Sequence, residues 1–370
     1  MSLLFGSVEY STDIASDNLT NLLESVLLQA PSGILILCCE QTLDKFSAFD
    51  AFLKSIPIPI FGGIFPSLVL DNETKEQGII FVPIRVPLDI NIFQDLERAQ
   101  EFEFCFNLTS HQSLMVLVDG LARNIDHALN QIFLQFGQTQ QVFGGGAGSL
   151  SFEHKPCLIT NQGLLQDAMV VIALQLETQL AIGHGWTKLA GPYLANQVDD
   201  NRILQLNFQP ALAIYKQVVE QHDGRLFSEH DFFEIAKTYP FGMERLDDDV
   251  LVRDPVTVEQ ESLVCVGKVP ENTMLYVLDG QHTKLIDAAV QAVQKISNNM
   301  QHPAAMIFDC ISRKLFLEDD FNAELSQISA ELSHNEVLFG ALVLGEIASG
   351  QSGAIHFHNK TAVVAMFEGK

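Results

Sequence analysis

The sequence predicts an α/β protein in which mixed sheets are flanked by helices, with repeated strand–helix–strand units arranged in two domains. The first observation is a short stretch that occurs three times, in which an aliphatic residue and a phenylalanine lead into glycine: Ile60–Gly62, Val142–Gly144 and Leu338–Gly340. The second is that an apolar run of strand length and then a segment suited to a helix precede each copy. Continuous apolar strands separated by helices indicate mixed or parallel sheets that are covered on their faces.

The first unit follows a predicted helix at Asp17–Gln29, whose leucines share one face and which ends before Pro31. An acidic segment after the unit predicts a surface helix at Asp95–Glu103. The elements predicted between them are a strand at Gly33–Cys38, a helix at Gln41–Ser55, a strand ending at Phe61–Gly63, and further strand from Gly78 to Phe93.

The other two units repeat this order. The second is predicted as Leu114–Gly120 (strand), Ile125–Phe136 (helix), Val142–Ser149 (strand) and Ala168–Leu174 (strand). The third is predicted as Ala304–Cys310 (strand), Phe321–Ser333 (helix), Leu338–Ala341 (strand) and Thr361–Phe367 (strand). We divide the chain into domains at residues 1–190 and 191–370. The first domain holds two units, and the second holds one unit with an insertion from about residue 190 to about residue 300.

Composition narrows the classes of partner. The chain carries a formal charge of -25, with 46 acidic and 21 basic residues among 370. Such a surface repels nucleic-acid phosphates and anionic lipids, so we expect no nucleic acid and no membrane as partner. No apolar run reaches the roughly 18 residues that a spanning helix needs, and the first residues lack a secretory signal pattern. We therefore expect a soluble, cytoplasmic protein. The six cysteines lie mostly inside or beside apolar runs, as buried free thiols do, and no Cys-x-x-Cys pair suggests zinc or a redox dithiol.

Two motifs stand out before any family is considered. The glycine run at Val142–Ser149 does not complete a dinucleotide fingerprint or a phosphate loop, so close packing of strands is its default explanation. His184 lies between two glycines and beside Trp186, the only tryptophan. Its imidazole is either presented at a strand end next to a flat apolar wall, or it forms hydrogen bonds within a tight turn.

The order of motifs along the chain resembles the FIST family. The segments that carry the resemblance are Gly183–Trp186, Val252–Pro255, Gly267–Glu271, Phe308–Arg313, Gly345–Ile347 and Phe357–Thr361. The family consists of bacterial sensory proteins with an N-terminal and a C-terminal FIST domain, here residues 1–190 and 191–370. One departure is that Phe339–Leu344 stands where members often carry a longer glycine or tyrosine signature before Gly-Glu.

The resemblance implies a signal-sensing protein that binds a small ligand. Its most concrete form is a haem-binding nitric oxide sensor that regulates a partner histidine kinase, and an alternative is a sensor of a small polar ligand such as an amino acid. Haem needs an axial side chain, apolar walls and a basic group near its propionates. We assign these roles to His184 as metal ligand, to Trp186 as wall and to Lys188 as the basic group.

Four further residues are candidates for ligand binding: Cys310, Arg313, Glu346 and His358. Arg313 pairs either with Glu346 or with an anionic ligand group, and in the amino-acid alternative Arg313 takes the carboxylate while Glu346 takes the ammonium. A cysteine enzyme with Cys310 as nucleophile is a second alternative, although we predict that the protein is not an enzyme.

The alternating histidines His356 and His358 have a spacing that can bind metal on one face of a strand. The competing explanation is structural. In it, hydrogen bonds join Asn359 and Thr361 to the turn at Gly345–Glu346.

Overall fold

The computed structural model describes residues 4–43, 46–106, 113–138, 140–244, 250–298, 300, 303–332, 337–350 and 353–368. Its helices are α1 Ser16–Leu27, α2 Phe46–Ser55, α3 Ile125–Phe136, α4 Ala211–Asp223, α5 Phe232–Ala236, α6 His282–Ser297, α7 Ile311–Leu317 and α8 Phe321–Ala330, with short 3-10 turns at Glu40–Thr42 and Glu318–Asp320. Among these residues no helix combines the length and the apolar character needed to cross a bilayer.

The strands cover most of the remaining chain. In the first half they are β1 Glu9–Ser11, β2 Gly33–Cys39, β3 Ile60–Phe65, β4 Ser67–Leu70, β5 Glu73–Lys75, β6 Ile79–Ile84, β7 Leu88–Gln94, β8 Ser113–Asp119, β9 Gln141–Ala147, β10 Leu158–Thr160, β11 Gly163–Leu165, β12 Ala168–Leu174 and β13 Thr178–Gly183. In the second half they are β14 Thr187–Ala195, β15 Gln197–Asp199, β16 Arg202–Leu206, β17 Gln209–Pro210, β18 Phe241–Glu244, β19 Val250–Arg253, β20 Pro255–Glu259, β21 Ser262–Cys265, β22 Thr273–Asp279, β23 Pro303–Cys310, β24 Leu338–Val343, β25 Glu346–Ser349, β26 Ile355–His358 and β27 Ala362–Glu368.

Within the described residues, three six-stranded sheets follow one plan, and each is built around one of the predicted units. Their strand orders are β1-β6-β2-β3-β10-β11, β7-β12-β8-β9-β25-β26 and β13-β27-β23-β24-β4-β5. In each sheet a parallel pair lies at the centre, namely β2–β3, β8–β9 or β23–β24. An antiparallel strand flanks the first member of each pair. The predicted mixed α/β architecture with repeated units is therefore confirmed.

The three units are interlocked, because each one places a hairpin on the sheet of another. Hairpin β4–β5 of the first unit extends the third sheet through β24. Hairpin β10–β11 extends the first sheet through β3, and hairpin β25–β26 extends the second through β9. Strands β4 and β24 therefore pair, although more than 260 residues separate Leu70 from Leu338. Residue 190 lies inside β14, and the division into domains there stays a prediction.

The repeated glycines are explained by backbone packing at the parallel pairs. A Cβ on Gly62 or Gly340 would lie 1.8 Å from a carbonyl oxygen of the neighbouring strand, and one on Gly144 would lie 1.9 Å from such an atom. The three acceptor carbonyls belong to Ile36, Val116 and Ile307, which are the parallel partners of these glycines. Only glycine fits such an approach. These glycines lie inside β3, β9 and β24, so the predicted strand end at Phe61–Gly63 is wrong: β3 continues to Phe65.

The acidic segment after β7 differs from its prediction. Helices α1 and α6 precede the first strand of the other two units, but no helix forms at Asp95–Glu103. Asp95 adopts a left-handed conformation with φ of 56°, and residues 101–106 are irregular. The physical reason is a period of two: Phe102 and Phe104 both place their rings against Phe93, at centroid distances of 5.2 and 5.0 Å.

The insertion in the third unit extends from β14 to β22, between β13 and α6, and is shorter than predicted. It contains two smaller sheets, with strand orders β14-β22-β18-β19 and β15-β16-β21-β20. Its apolar core includes the fully buried rings of Tyr215 and Phe241. Helix α6 belongs to the third unit, because it packs over β13 through the backbone of Gly183.

Candidate functional site

A buried cluster of ionisable side chains lies at the carboxyl end of β23, where the third unit, the insertion and hairpin β25–β26 meet. We call it the polar cluster. Its members are Asp254, Asp309, Cys310, Ser312, Arg313, Glu324, Glu346, His358 and Lys360, all at most 8% exposed. Four of the predicted site residues are therefore brought together. They reach this point because β23 ends at Cys310, α7 begins at Ile311 and β25 begins at Glu346.

Arg313 is completely buried, and its partners all belong to the protein. Its Nε and Nη2 donate to Glu324 Oε1 and Oε2 at 3.1 and 2.6 Å. Nη1 also donates to the carbonyls of His184 and Lys360, and Nη2 donates to that of Leu285. The expected pairing with Glu346 is wrong: the carboxylate that Arg313 binds is Glu324. With its donors occupied in this way, the guanidinium holds elements together instead of facing a ligand.

Lys360 and Asp254 are buried charged residues that the sequence did not single out as candidates. The Lys360 ammonium donates to Ser312 Oγ at 2.7 Å and to the Lys237 carbonyl at 2.9 Å, and it lies 3.2 Å from Asp254 Oδ1. Lys360 has a φ of 53°, so the turn after β26 directs its side chain inwards. A lysine in a tight turn ordinarily reaches solvent, and nothing in the local pattern indicated that this one is 0% exposed.

Asp309 and Glu346 are buried carboxyls, and Asp309 Oδ1 lies 3.9 Å from Arg313 Nε, which binds Glu324 more closely. Neither oxygen of Asp309, nor Oε1 of Glu346, has a hydrogen-bond partner among the described residues. Burial raises the pKa of both groups well above its usual range, and repulsion by Glu324 adds to the rise at Asp309. Mutual repulsion between Asp309 and Glu346 adds to the rise at Glu346. Because an uncompensated charge is costly in this interior, burial favours the protonated form of both carboxyls.

The Cys310 thiol is unsuited to nucleophilic chemistry. Burial raises the pKa of Cys310 well above its usual range, and the neighbouring Glu346 carboxyl raises it further. The thiolate is the reactive species, and here it is disfavoured. The burial of the thiol and the carboxyl beside it argue against the cysteine-enzyme alternative.

His184 takes part in a tight turn, which is one of the two roles expected for it from the sequence. Its Nδ1 accepts the Trp186 backbone N–H at 3.0 Å, which leaves the ring proton of the neutral imidazole on Nε2. A Cβ on Gly185 would lie 2.5 Å from the Lys284 carbonyl, so this glycine packs directly on α6. Trp186 is 5% exposed, and its indole N–H donates to the Lys360 carbonyl. These residues do not fit an axial haem ligand and an open wall, because the Nδ1 lone pair is used in the turn, Nε2 carries the ring proton, and the indole is part of the core.

Lys188 lies apart from this arrangement. Its ammonium pairs with Glu244 on the surface of the insertion and lies 4.3 Å from the centre of the Tyr276 ring. Sequence proximity to His184 suggested a shared site, but Lys188 lies on β14, which pairs with β22 and carries this side chain away from the polar cluster.

The two alternating histidines lie along β26 with ring centroids 5.8 Å apart. No group of three or more His, Cys, Asp or Glu side chains in the described ranges is arranged to hold a metal ion. The structural explanation is supported instead, because the Thr361 N–H donates to Glu346 Oε2 at 3.1 Å. Glu346 and His358 are also direct cross-strand neighbours.

An open groove of about 450 Å³ adjoins the other end of β26. Its walls are supplied by helix α3, by the start of β26 and by one loop of the insertion. The lining residues are Asp126, His127, Asn130, Phe133, Lys268, Ala354, Ile355 and His356. The sequence did not indicate this groove. Asp126 and Asn130 have the spacing and polarity of a solvated helix face, and about 140 residues separate them from Lys268.

The comparison with protein families agrees with this architecture. The family model described as the FIST N domain matches residues 34–209, and the one described as the FIST C domain matches residues 211–349. No curated protein matches the chain in sequence. The two models together cover most of the chain, so the protein belongs to the FIST family of sensor domains in signal transduction.

Proposed function

We propose that this protein senses a small zwitterionic ligand, such as an amino acid, which binds in the groove between α3 and β26. The observation that carries the proposal is that the groove presents one carboxylate, Asp126, and one ammonium, Lys268, together with the apolar side chains of Phe133 and Ile355. Pockets for small molecules combine apolar walls with a few polar groups that fix orientation.

The chemistry of the lining assigns a role to each group. Lys268 would bind the ligand carboxylate, and Asp126 would bind its ammonium. Phe133 and Ile355 would cover an apolar side chain, and Asn130 offers both a donor and an acceptor. These assignments replace the earlier expectation that Arg313 and Glu346 take the two charged ends, because Arg313 already binds Glu324.

The groove is connected to the polar cluster by Arg253, which is 1% exposed. Its Nε donates to the Lys268 carbonyl at 2.8 Å, and its Nη1 donates to the Phe357 carbonyl at 2.9 Å. A ligand that moves Lys268 would therefore act on β26, which leads directly into the turn that carries Lys360. We propose this connection as the route by which binding changes the contacts between the insertion and hairpin β25–β26.

The haem-binding, nitric-oxide-sensing function, with a histidine kinase as output partner, stays a prediction. It requires a ring nitrogen whose lone pair can bind iron. In His184 the Nδ1 lone pair accepts the Trp186 N–H, so the neutral ring carries its proton on Nε2, and α6 packs against the adjacent Gly185. The polar-ligand function is better supported, because the groove is open and carries both charges.

Calorimetric titration with a panel of amino acids tests the proposal. For any amino acid that binds, we expect the matching amine without a carboxylate, and the matching acid without an ammonium, to bind at least tenfold more weakly. Lys268→Gln should weaken binding of the amino acid by a similar factor while leaving the amine unaffected. Lys188→Gln is the matched control, since that lysine lies outside the groove. Absence of binding by every amino acid, or equal binding by Lys268→Gln, would contradict the proposal.

A further inference from the structure

Strand β7 forms an outer edge of the second six-stranded sheet. It pairs with β12 along all seven of its residues, from Leu88 to Gln94. It is the longest of the described strands that end the three large sheets; the others have three to six residues. In the described ranges no strand pairs with its outer side, so that side offers a row of backbone donors and acceptors.

An apolar cleft of about 430 Å³ lies beside this edge. One wall carries Leu88, Ile90 and Ile92 of β7, and the facing wall is the loop at residues 57–60. Asn161 also lines the cleft, but its amide is occupied by the backbone of residues 56–60: its Nδ2 donates to the carbonyls of Ile56 and Ile58, and its Oδ1 accepts the Ile60 N–H. Asp89 is the one charged residue in the described lining.

We propose that this edge and cleft bind an extended, basic segment of a partner protein as an additional strand. The backbone of the segment would pair with the outer side of β7, and its alternate side chains would enter the cleft, since successive residues of a strand point to opposite faces. The residues entering the cleft would be aliphatic, to match Ile90 and Ile92. This surface is separate from the ligand groove and does not depend on the function proposed for it.

Charge selects a basic partner over a second copy of the chain. Asp89 is exposed at the edge, and Glu177 is exposed beyond the end of β12, where the Gln175 N–H bonds the Pro87 carbonyl. Each chain also carries a formal charge of -25, so two copies meeting at β7 would repel each other. Lysine or arginine side chains flanking the aliphatic positions would instead be attracted to this surface.

A direct test uses a seven-residue amidated peptide that alternates lysine and valine, labelled for fluorescence anisotropy. We expect saturable binding, with amides of β7 becoming protected from hydrogen exchange. N-methylation of alternate peptide amides on the pairing side should weaken binding at least tenfold, because those donors are lost. Asp89→Lys should weaken binding of the lysine peptide about tenfold and improve binding of its glutamate counterpart. Glu73→Lys on edge strand β5 is the matched control.

Three results would overturn the proposal. The first is binding that is insensitive both to N-methylation and to Asp89→Lys. The second is protection that appears away from β7, or no binding at all. The third is a dimer in sedimentation equilibrium with β7 amides already protected, which would assign the edge to a second copy of the chain.

Discussion

Arg313 and Glu324 form a bidentate ion pair in which neither side chain is exposed to solvent: Nε lies 3.1 Å from Oε1, and Nη2 lies 2.6 Å from Oε2. The pair joins the start of α7 to α8. The same guanidinium reaches the carbonyls of His184 and Leu285, so one side chain connects α7 and α8 with the entrance to the insertion and with α6.

Removing one partner of this pair should be strongly destabilising. We expect Arg313→Met to lower the free energy of unfolding by about 3–5 kcal/mol, because Glu324 is left buried without its cation. Urea denaturation measures the change. The double variant Arg313→Met/Glu324→Leu should recover part of the loss, since it removes the uncompensated charge. A double variant no more stable than Arg313→Met would contradict this account.

Stability should fall as pH rises, because of the buried carboxyls. The pKa of Glu346 is higher in the folded than in the unfolded protein, so the stability from its bound proton is present at low pH. That stability is lost as pH rises from the unfolded-state pKa towards the folded-state pKa, by up to about 1.4 kcal/mol per pH unit for each such carboxyl. We expect Glu346→Gln to have the shallower slope and to be more stable than wild type at pH 8.

The matched control for this experiment is Glu177→Gln, which changes an exposed carboxyl. Urea denaturation between pH 5 and pH 8 should give Glu177→Gln the slope of wild type. Equal slopes for Glu346→Gln and wild type would show that Glu346 does not hold its proton in the folded state.

Gly144, which lies in the parallel pair β8–β9, should not tolerate a side chain. A Cβ at residue 144 would lie 1.9 Å from the Val116 carbonyl oxygen, so we expect Gly144→Ala to cost at least about 3 kcal/mol or to prevent folding. Gly350→Ala is the control, because the nearest atom to its added Cβ lies 3.8 Å away. Thermal melting compares the two variants, and similar melting temperatures would refute the packing explanation of the repeat.

His184 should stabilise the turn at Trp186 and should not bind haem. We expect His184→Ala to lower the free energy of unfolding by about 1–2 kcal/mol, because the Trp186 N–H loses its acceptor. After reconstitution with haem, the absorption spectrum in the Soret region should be the same for the variant and the wild type. A Soret band in the wild type that His184→Ala abolishes would restore His184 as the axial ligand.

Local pattern was sufficient for elements whose periodicity repeats over several residues. Helix α3 and strand β12 were predicted with the bounds that the structure has, because a helical apolar face and a continuous apolar run are properties of neighbouring residues. The helix predicted for the third unit extended to Ser333, which lies outside the described residues. The segment Asp95–Glu103 was misread because its acidic residues concealed the alternation of Phe102 with Phe104 and Phe106.

The sequence by itself determined the α/β class, the three repeated units and the glycine in each of their Phe-Gly strands, and it selected four of the residues that gather near β23, namely Cys310, Arg313, Glu346 and His358. Only the tertiary structure decided that hairpins are exchanged among units, that Arg313 binds Glu324, that Lys360 is buried against Asp254, and that Lys268 and Asp126 line one groove. The physical reason is separation along the chain: periodicity reports which face of an element is buried. The partner of a buried charge depends on which distant elements the sheets bring together.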